Sequence, residues 1–109
     1  MEAYSIEYTN EALQDLRDIY DYISNELKSP ETAAAQIKRI RNEIRSLDSF
    51  PKRYAAVEWE SWASRGLRRM PVDHFVILYI VSDEFKAVQV VRIFYGKRNI
   101  PDIIRKEQL

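Results

Sequence analysis

Val88-Gln89-Val90-Val91-Arg92-Ile93-Phe94-Tyr95-Gly96-Lys97-Arg98 is the stretch that decides how this chain is read. Its first half is an almost unbroken β-branched run, the pattern of a strand buried within a sheet rather than at its edge. Its second half ends on aromatic and cationic groups instead of a polar turn. Arg92, Tyr95, Lys97 and Arg98 place three fixed cations and a phenol within seven residues. Gly96 among them lets the backbone turn sharply or be approached closely. Such a cluster at a strand end points to a site for something anionic.

Immediately upstream, Phe75 to Val81 is a continuous apolar run that reads as a central strand, joined to the first stretch through Ser82-Asp83-Glu84 as a hairpin turn. Before it, Arg65-Gly66-Leu67-Arg68-Arg69-Met70 looks like a strand with cations projecting from it, and Pro71-Val72-Asp73-His74 turns the chain. At the other end, Tyr4, Ile6 and Tyr8 alternate with Ser5 and Glu7, the period of a strand with one buried face.

Two helices lie between. Thr9 or Asn10 can cap the first, in which Leu13, Leu16, Tyr20, Ile23 and Leu27 recur at three- and four-residue steps and Ile19 widens the stripe. Asp15, Asp18 and Asp21 fill the remaining positions and read as a solvated helix face rather than a metal or acid/base site. Ser29-Pro30-Glu31 starts the second helix with a capping serine, a proline where a missing N–H costs nothing, and an acid in the first turn. Ala33, Ile37, Ile40, Ile44 and Leu47 then form a narrow seam. The break at Lys28-Ser29 is short enough to predict an antiparallel hairpin. Its first helix is acidic outside and its second basic, through Lys38, Arg39, Arg41 and Arg45, so edge pairs across the hairpin are expected. Phe50-Pro51 ends the second helix.

The order strand, helix, helix, three strands gives one α+β domain over residues 1–109. A helical hairpin covers one face of a small sheet built around a three-stranded antiparallel meander. The late cations are expected on the opposite face. Trp59 and Trp62, in the weakly patterned segment before them, either close one end of the core or form an exposed platform for a partner.

Composition narrows the function classes. The chain has 109 residues, no cysteine and one histidine, which removes disulfides, thiolate metal sites and cysteine nucleophiles. No cofactor and no bound metal are expected: neither a glycine-rich phosphate loop nor a His/Cys metal spacing is present. A serine triad would need His74, which sits at a turn beside Asp73 and reads as a surface residue. No apolar run has the length of a signal peptide or a membrane span, so a cytoplasmic protein without a membrane partner is expected. Net charge is zero, but residues 1–64 hold 8 basic and 12 acidic side chains, net −4, and residues 65–109 hold 9 and 5, net +4. Any anion-seeking surface therefore belongs to the C-terminal half.

What remains is a metal-free set of Arg65, Arg68, Arg69, Arg92, Tyr95, Lys97 and Arg98. Guanidinium forks hold phosphate bidentately and can stabilise a phosphoryl transition state. Tyr95 or Lys97 can accept a proton only if neighbouring cations depress its pKa. The competing reading is a solvated basic rim.

Taken together, Ile6-Glu7-Tyr8, the helix from Ala12 to Ile23, the Leu47 to Pro51 break, Leu67-Arg68-Arg69-Met70-Pro71-Val72, Phe75-Val76-Ile77-Leu78-Tyr79 and Arg92 to Arg98 resemble the RelE/ParE superfamily of toxins from type II toxin–antitoxin modules. The resemblance implies a small sheet packed on a helical hairpin. It also implies a hetero-oligomer with a cognate antitoxin, which wraps a segment that folds on binding over the toxin. RelE-like members cut ribosome-bound messenger RNA with a strand arginine, an arginine near the end of the last strand and a C-terminal tyrosine. Arg98 matches the second, whereas Val76 stands at the first position and Ile104 falls near the third, leaving Tyr95 as a substitute phenol and Lys97 beside it. ParE-like members poison DNA gyrase without cutting RNA. The long hairpin, the Asp18-Ile19-Tyr20-Asp21-Tyr22-Ile23 run and the charge balance resemble that branch more closely. A third reading is a degenerate toxin kept only for antitoxin binding or autoregulation.

Overall fold

The computed structural model describes residues 3–96, so Lys97, Arg98 and Ile104 lie outside the described residues. Strand β1 (Ser5–Tyr8) leads into helix α1 (Asn10–Glu26) and helix α2 (Pro30–Arg45), and three single-turn 3-10 segments precede β2 (Arg68–Val72), β3 (Phe75–Ser82) and β4 (Ala87–Tyr95). The sheet order is β1-β4-β3-β2. The expected meander is there, with β3 antiparallel to both β2 and β4. The N-terminal strand joins it parallel to β4, pairing Ile6 with Val88 and Tyr8 with Val90, which makes the sheet mixed and β4 internal over that stretch.

Local signals set the helix ends. The Thr9 hydroxyl accepts the Ala12 N–H at 3.0 Å and donates to the Val91 carbonyl at 2.7 Å, so one cap both starts α1 and ties it to β4. Ser29 caps α2, with Pro30 in its first turn, and Lys28 takes the left-handed conformation that reverses the chain between the helices. The seam of α2 is shorter than its spacing predicts. Regular helix stops at Arg45, and Leu47 completes the apolar row from a 3-10 turn.

The hairpin packs on one sheet face. Leu16, Ile40, Ile44 and Leu47 meet Met70, Ile77, Tyr79, Val88, Val90 and Ile93. Tyr79 is the largest fully buried side chain there, and its hydroxyl donates to the Pro51 carbonyl at 2.6 Å. Burial pushes its phenol up to about 12, against the opposing pull of the Arg68 and Arg53 charges. A folded-state value above the unfolded one means that this stability is complete below pH 10 and is lost as pH rises towards 12. Two units correspond to about 2–3 kcal/mol. Urea unfolding across that range should show this alkaline loss in the wild type and a flatter limb in Tyr79→Phe.

The opposite face departs from expectation. It is not an open cationic surface but a second apolar cluster, in which Val57, Trp62 and Leu67 cover Val76, Leu78, Val91 and Phe94. The physical reason lies in the strands themselves. The alternating positions of β3 and β4 are apolar on both faces, and such strands must be covered twice. The segment between α2 and β2 supplies that cover. Trp62 is buried and Trp59 half-buried, so the tryptophans close the core rather than form an exposed platform. Charge pairing across the hairpin also differs: Arg39 reaches Asp73 in the β2–β3 turn at 2.9 Å instead of an α1 carboxylate.

Candidate functional site

At the end of β4 the sheet and the helical hairpin diverge. β1 stops at Tyr8, opposite Val90, leaving the rest of β4 without a strand neighbour on that side among the described residues. Helix α1 takes its place. Asp15 Oδ2 accepts the Ile93 N–H at 2.8 Å and the Arg92 Nε–H at 2.7 Å, while Oδ1 accepts from Arg92 Nη2 at 2.9 Å. Asp15 is therefore a buried carboxylate in a bidentate ion pair, not part of a solvated acidic face. Its neighbours Ala12 and Leu16 are buried as well, placing it on the edge of the apolar stripe, and that position was the available signal. Arg92 completes the arrangement with its guanidinium over the Phe94 ring, 4.4 Å from the centroid.

Beyond this clamp, the outer half of α1 has little sheet beneath it. Ile19, Tyr22, Ile23 and Leu27 from α1 face Phe75, Ile93 and Tyr95 from the strand ends across a groove of about 650 Å³. Tyr22 and Leu27 are 67% and 63% exposed, an apolar surface that none of the described residues covers. Tyr95 stands edge-on to Phe75, ring centroids 5.9 Å apart, and is itself exposed. Polar groups rim the groove through Asp18, Thr32, Gln36 and His74. Gln36 and Arg39 both donate to Asp73 Oδ2 at 2.9 Å, and these bonds hold the Asp73 carboxyl below the usual carboxylate range. Gly96 closes the strand end by donating its N–H to the His74 carbonyl at 2.8 Å. A Cβ there would lie 3.2 Å from that same oxygen, which is the close approach the glycine permits.

The described members of the expected cation set do not form one patch. Arg68 pairs with Tyr79 on the hairpin side, and its Nη1 donates to the Tyr54 carbonyl at 2.7 Å and the Lys52 carbonyl at 3.2 Å. Arg69 and Arg92 flank Leu78 in one cross-strand row on the opposite side. Arg65 stacks over Trp62, 4.2 Å from the ring centroid. Tyr95 lies at the groove, and the described part of the set therefore spreads over both sheet faces. The groove itself is not legible in the sequence, because its walls come from the outer helix and the strand ends, segments more than forty residues apart.

A family model described as the ParE toxin of the type II toxin–antitoxin system parDE matches residues 6–100. The chain belongs to the ParE toxin family. It is thus a type II toxin of a toxin–antitoxin module. A chromosomal ParDE system from P. aeruginosa aligns at 25% identity with a TM-score of 0.71, covering 87% of this chain and 98% of that one. The RelBE2 toxin–antitoxin complex of Mycobacterium tuberculosis aligns at 21% identity and a TM-score of 0.62, over 87% and 93% of the two chains. The isolated E. coli RelE toxin aligns at 16% identity and 0.55, over 98% and 100%. The last two show the common fold of ParE-family and RelE chains. No curated protein matches the sequence. Among the described residues no helix is long and apolar enough to cross a membrane.

Proposed function

We propose that this ParE-family toxin arrests growth by binding DNA gyrase, and that a cognate antitoxin neutralises it by seating an apolar segment in the groove between α1 and the end of β4. The observation that carries the gyrase reading is Val76. A RelE-type nuclease would need an arginine at this strand position, and here the side chain is 5% exposed, packed among Trp62, Leu78 and Phe94. A cation could not work from that site without unpacking the second core. Arg92, the nearest strand guanidinium in sequence to the Tyr95 end, is committed to Asp15. Binding rather than RNA chemistry is what such a surface supports. The antitoxin reading draws on the apolar wall at Ile19, Tyr22, Ile23 and Leu27, whose Tyr22 and Leu27 are exposed among the described residues, which suits a segment that folds as it binds.

Purified gyrase relaxing and supercoiling a plasmid provides the test. Stoichiometric toxin should inhibit supercoiling and leave translated messages intact in primer extension, and added antitoxin should restore it. Undiminished supercoiling in molar excess of toxin, with codon-phased cuts in messages, would instead assign the RelE-like activity. In that case the exposed Tyr95 phenol, with Lys97 and Arg98 after it, would be the residues to replace first.

A further inference from the structure

The hairpin carries a second concave surface, away from the apolar groove. Tyr20 of α1 faces α2 across a shallow trough of about 450 Å³ whose floor includes Ala34 and Ile37. Lys38, Arg41 and Arg45 line it from α2, at steps of three and four residues, with Asn42 between them. Such steps put side chains on one helix stripe. No carboxylate lines the trough. Three cations elsewhere in the described residues are paired with carboxylates: Arg39 with Asp73, Lys52 with Asp83 and Arg92 with Asp15. Here none of the three has an ion-pair partner among the described residues. Arg41 lies over the Tyr8 ring, 5.2 Å from its centroid, and Arg45 donates to the Asn42 side chain at 2.9 Å. Neither contact removes charge. The chain has the acids to neutralise this stripe, since α1 carries Asp18 and Asp21, yet its folding leaves the stripe positive.

We infer that this trough binds the phosphodiester backbone of a single-stranded nucleic acid. Two forked guanidiniums and an ammonium in a row match successive phosphates. The seven residue steps from Lys38 to Arg45 span about 10 Å of helix. That is about three nucleotides at the ~3.4 Å rise of a stacked strand. Tyr20, 36% exposed at the trough wall, offers a ring face on which an unpaired base can stack. A duplex would present phosphates but leave that ring unused. The surface lies on the N-terminal half of the chain, which carries a net −4, so it is a local positive stripe on an otherwise acidic part of the molecule. It makes no use of the groove, Tyr95 or Val76, and stands whichever target the toxin arrests.

Fluorescence anisotropy of the full chain with a labelled oligo-deoxythymidine, and with an oligo-uridine, tests this. Affinity should fall with salt at a logarithmic slope of about −2, as three single-strand phosphate contacts require. Arg41→Glu/Arg45→Glu should weaken binding at least tenfold with unchanged circular dichroism and only a small fall in melting temperature, because both side chains are exposed and the fold loses only the Tyr8 ring and Asn42 contacts. Tyr20→Ala should weaken it about tenfold while leaving the salt slope alone. Binding that ignores salt, or a charge-reversed variant that binds as the wild type does, overturns the inference. So does a polyglutamate peptide that competes at equal concentration of charge, because the stripe would then be a dock for an acidic protein.

Discussion

Asp15→Ala should destabilise the fold by about 3–5 kcal/mol, the loss typical of removing one partner from a buried ion pair. The carboxylate serves three donors at once: the Ile93 amide and two nitrogens of Arg92. Truncating it removes the carboxylate from a guanidinium whose side chain is 13% exposed and takes the acceptor from a strand N–H where β1 no longer reaches. Asp15→Asn keeps an acceptor for the amide and removes only the charge, so it should cost less than Asp15→Ala. Asp15→Leu combined with Arg92→Met removes both charges, and it should recover most of the loss because a well-packed apolar pair often replaces a buried ionic one without penalty. Urea denaturation of these three variants beside the wild type forms the test. If the double replacement were as unstable as Asp15→Ala, the Ile93 amide rather than the broken ion pair would dominate. The consequence for function is direct, since this clamp fixes the strand end that forms one wall of the groove.

The elements were legible because each has its own local signal. Thr9 and Ser29 sit at the caps of the two helices, the steps of Ile37, Ile40 and Ile44 mark a packing seam, and the apolar runs at Phe75 and Val88 mark central strands. What joins elements was less legible. Asp15 and Arg92 are 77 residues apart, and nothing local distinguishes Asp15 from Asp18 except its place between Ala12 and Leu16. The fate of the late cations was implicit in the strands: Val76 and Leu78 face away from the helices, and apolar residues on that side cannot lie beneath an open layer of arginines. Following that alternation would have pointed to the poorly patterned segment around Trp62 as cover. The groove depends on where the hairpin overshoots the sheet, a consequence of helix length relative to strand length that no motif records.

Trp62→Ala should cost about 3–5 kcal/mol, the range for emptying a large aromatic site in a core. Only 5% of Trp62 remains exposed, and it covers strand residues Val76, Leu78, Val91 and Phe94 together with Val57 and Leu67. Arg65 over its ring adds a cation–π contact worth about 0.5–1 kcal/mol at an exposed site. Its carbonyl also accepts the Arg65 and Leu67 amides at 3.0 and 3.3 Å, so the backbone turn itself survives the substitution while its apolar payload is lost. The expected variant is therefore folded on the hairpin side and loosened on the other, with a lowered urea midpoint and new binding of a hydrophobic dye. Trp62→Phe should recover a large part of the stability. An indole whose role was to meet a partner would behave in the opposite way: its removal would leave the urea midpoint unchanged and weaken only complex formation. Because Val76 belongs to the same cluster, the Trp62 variant also bears on the toxin's mode of action. A second face that loosens when one indole is removed is a packed core, and the buried position of Val76 within it is the observation on which the proposed binding mode rests.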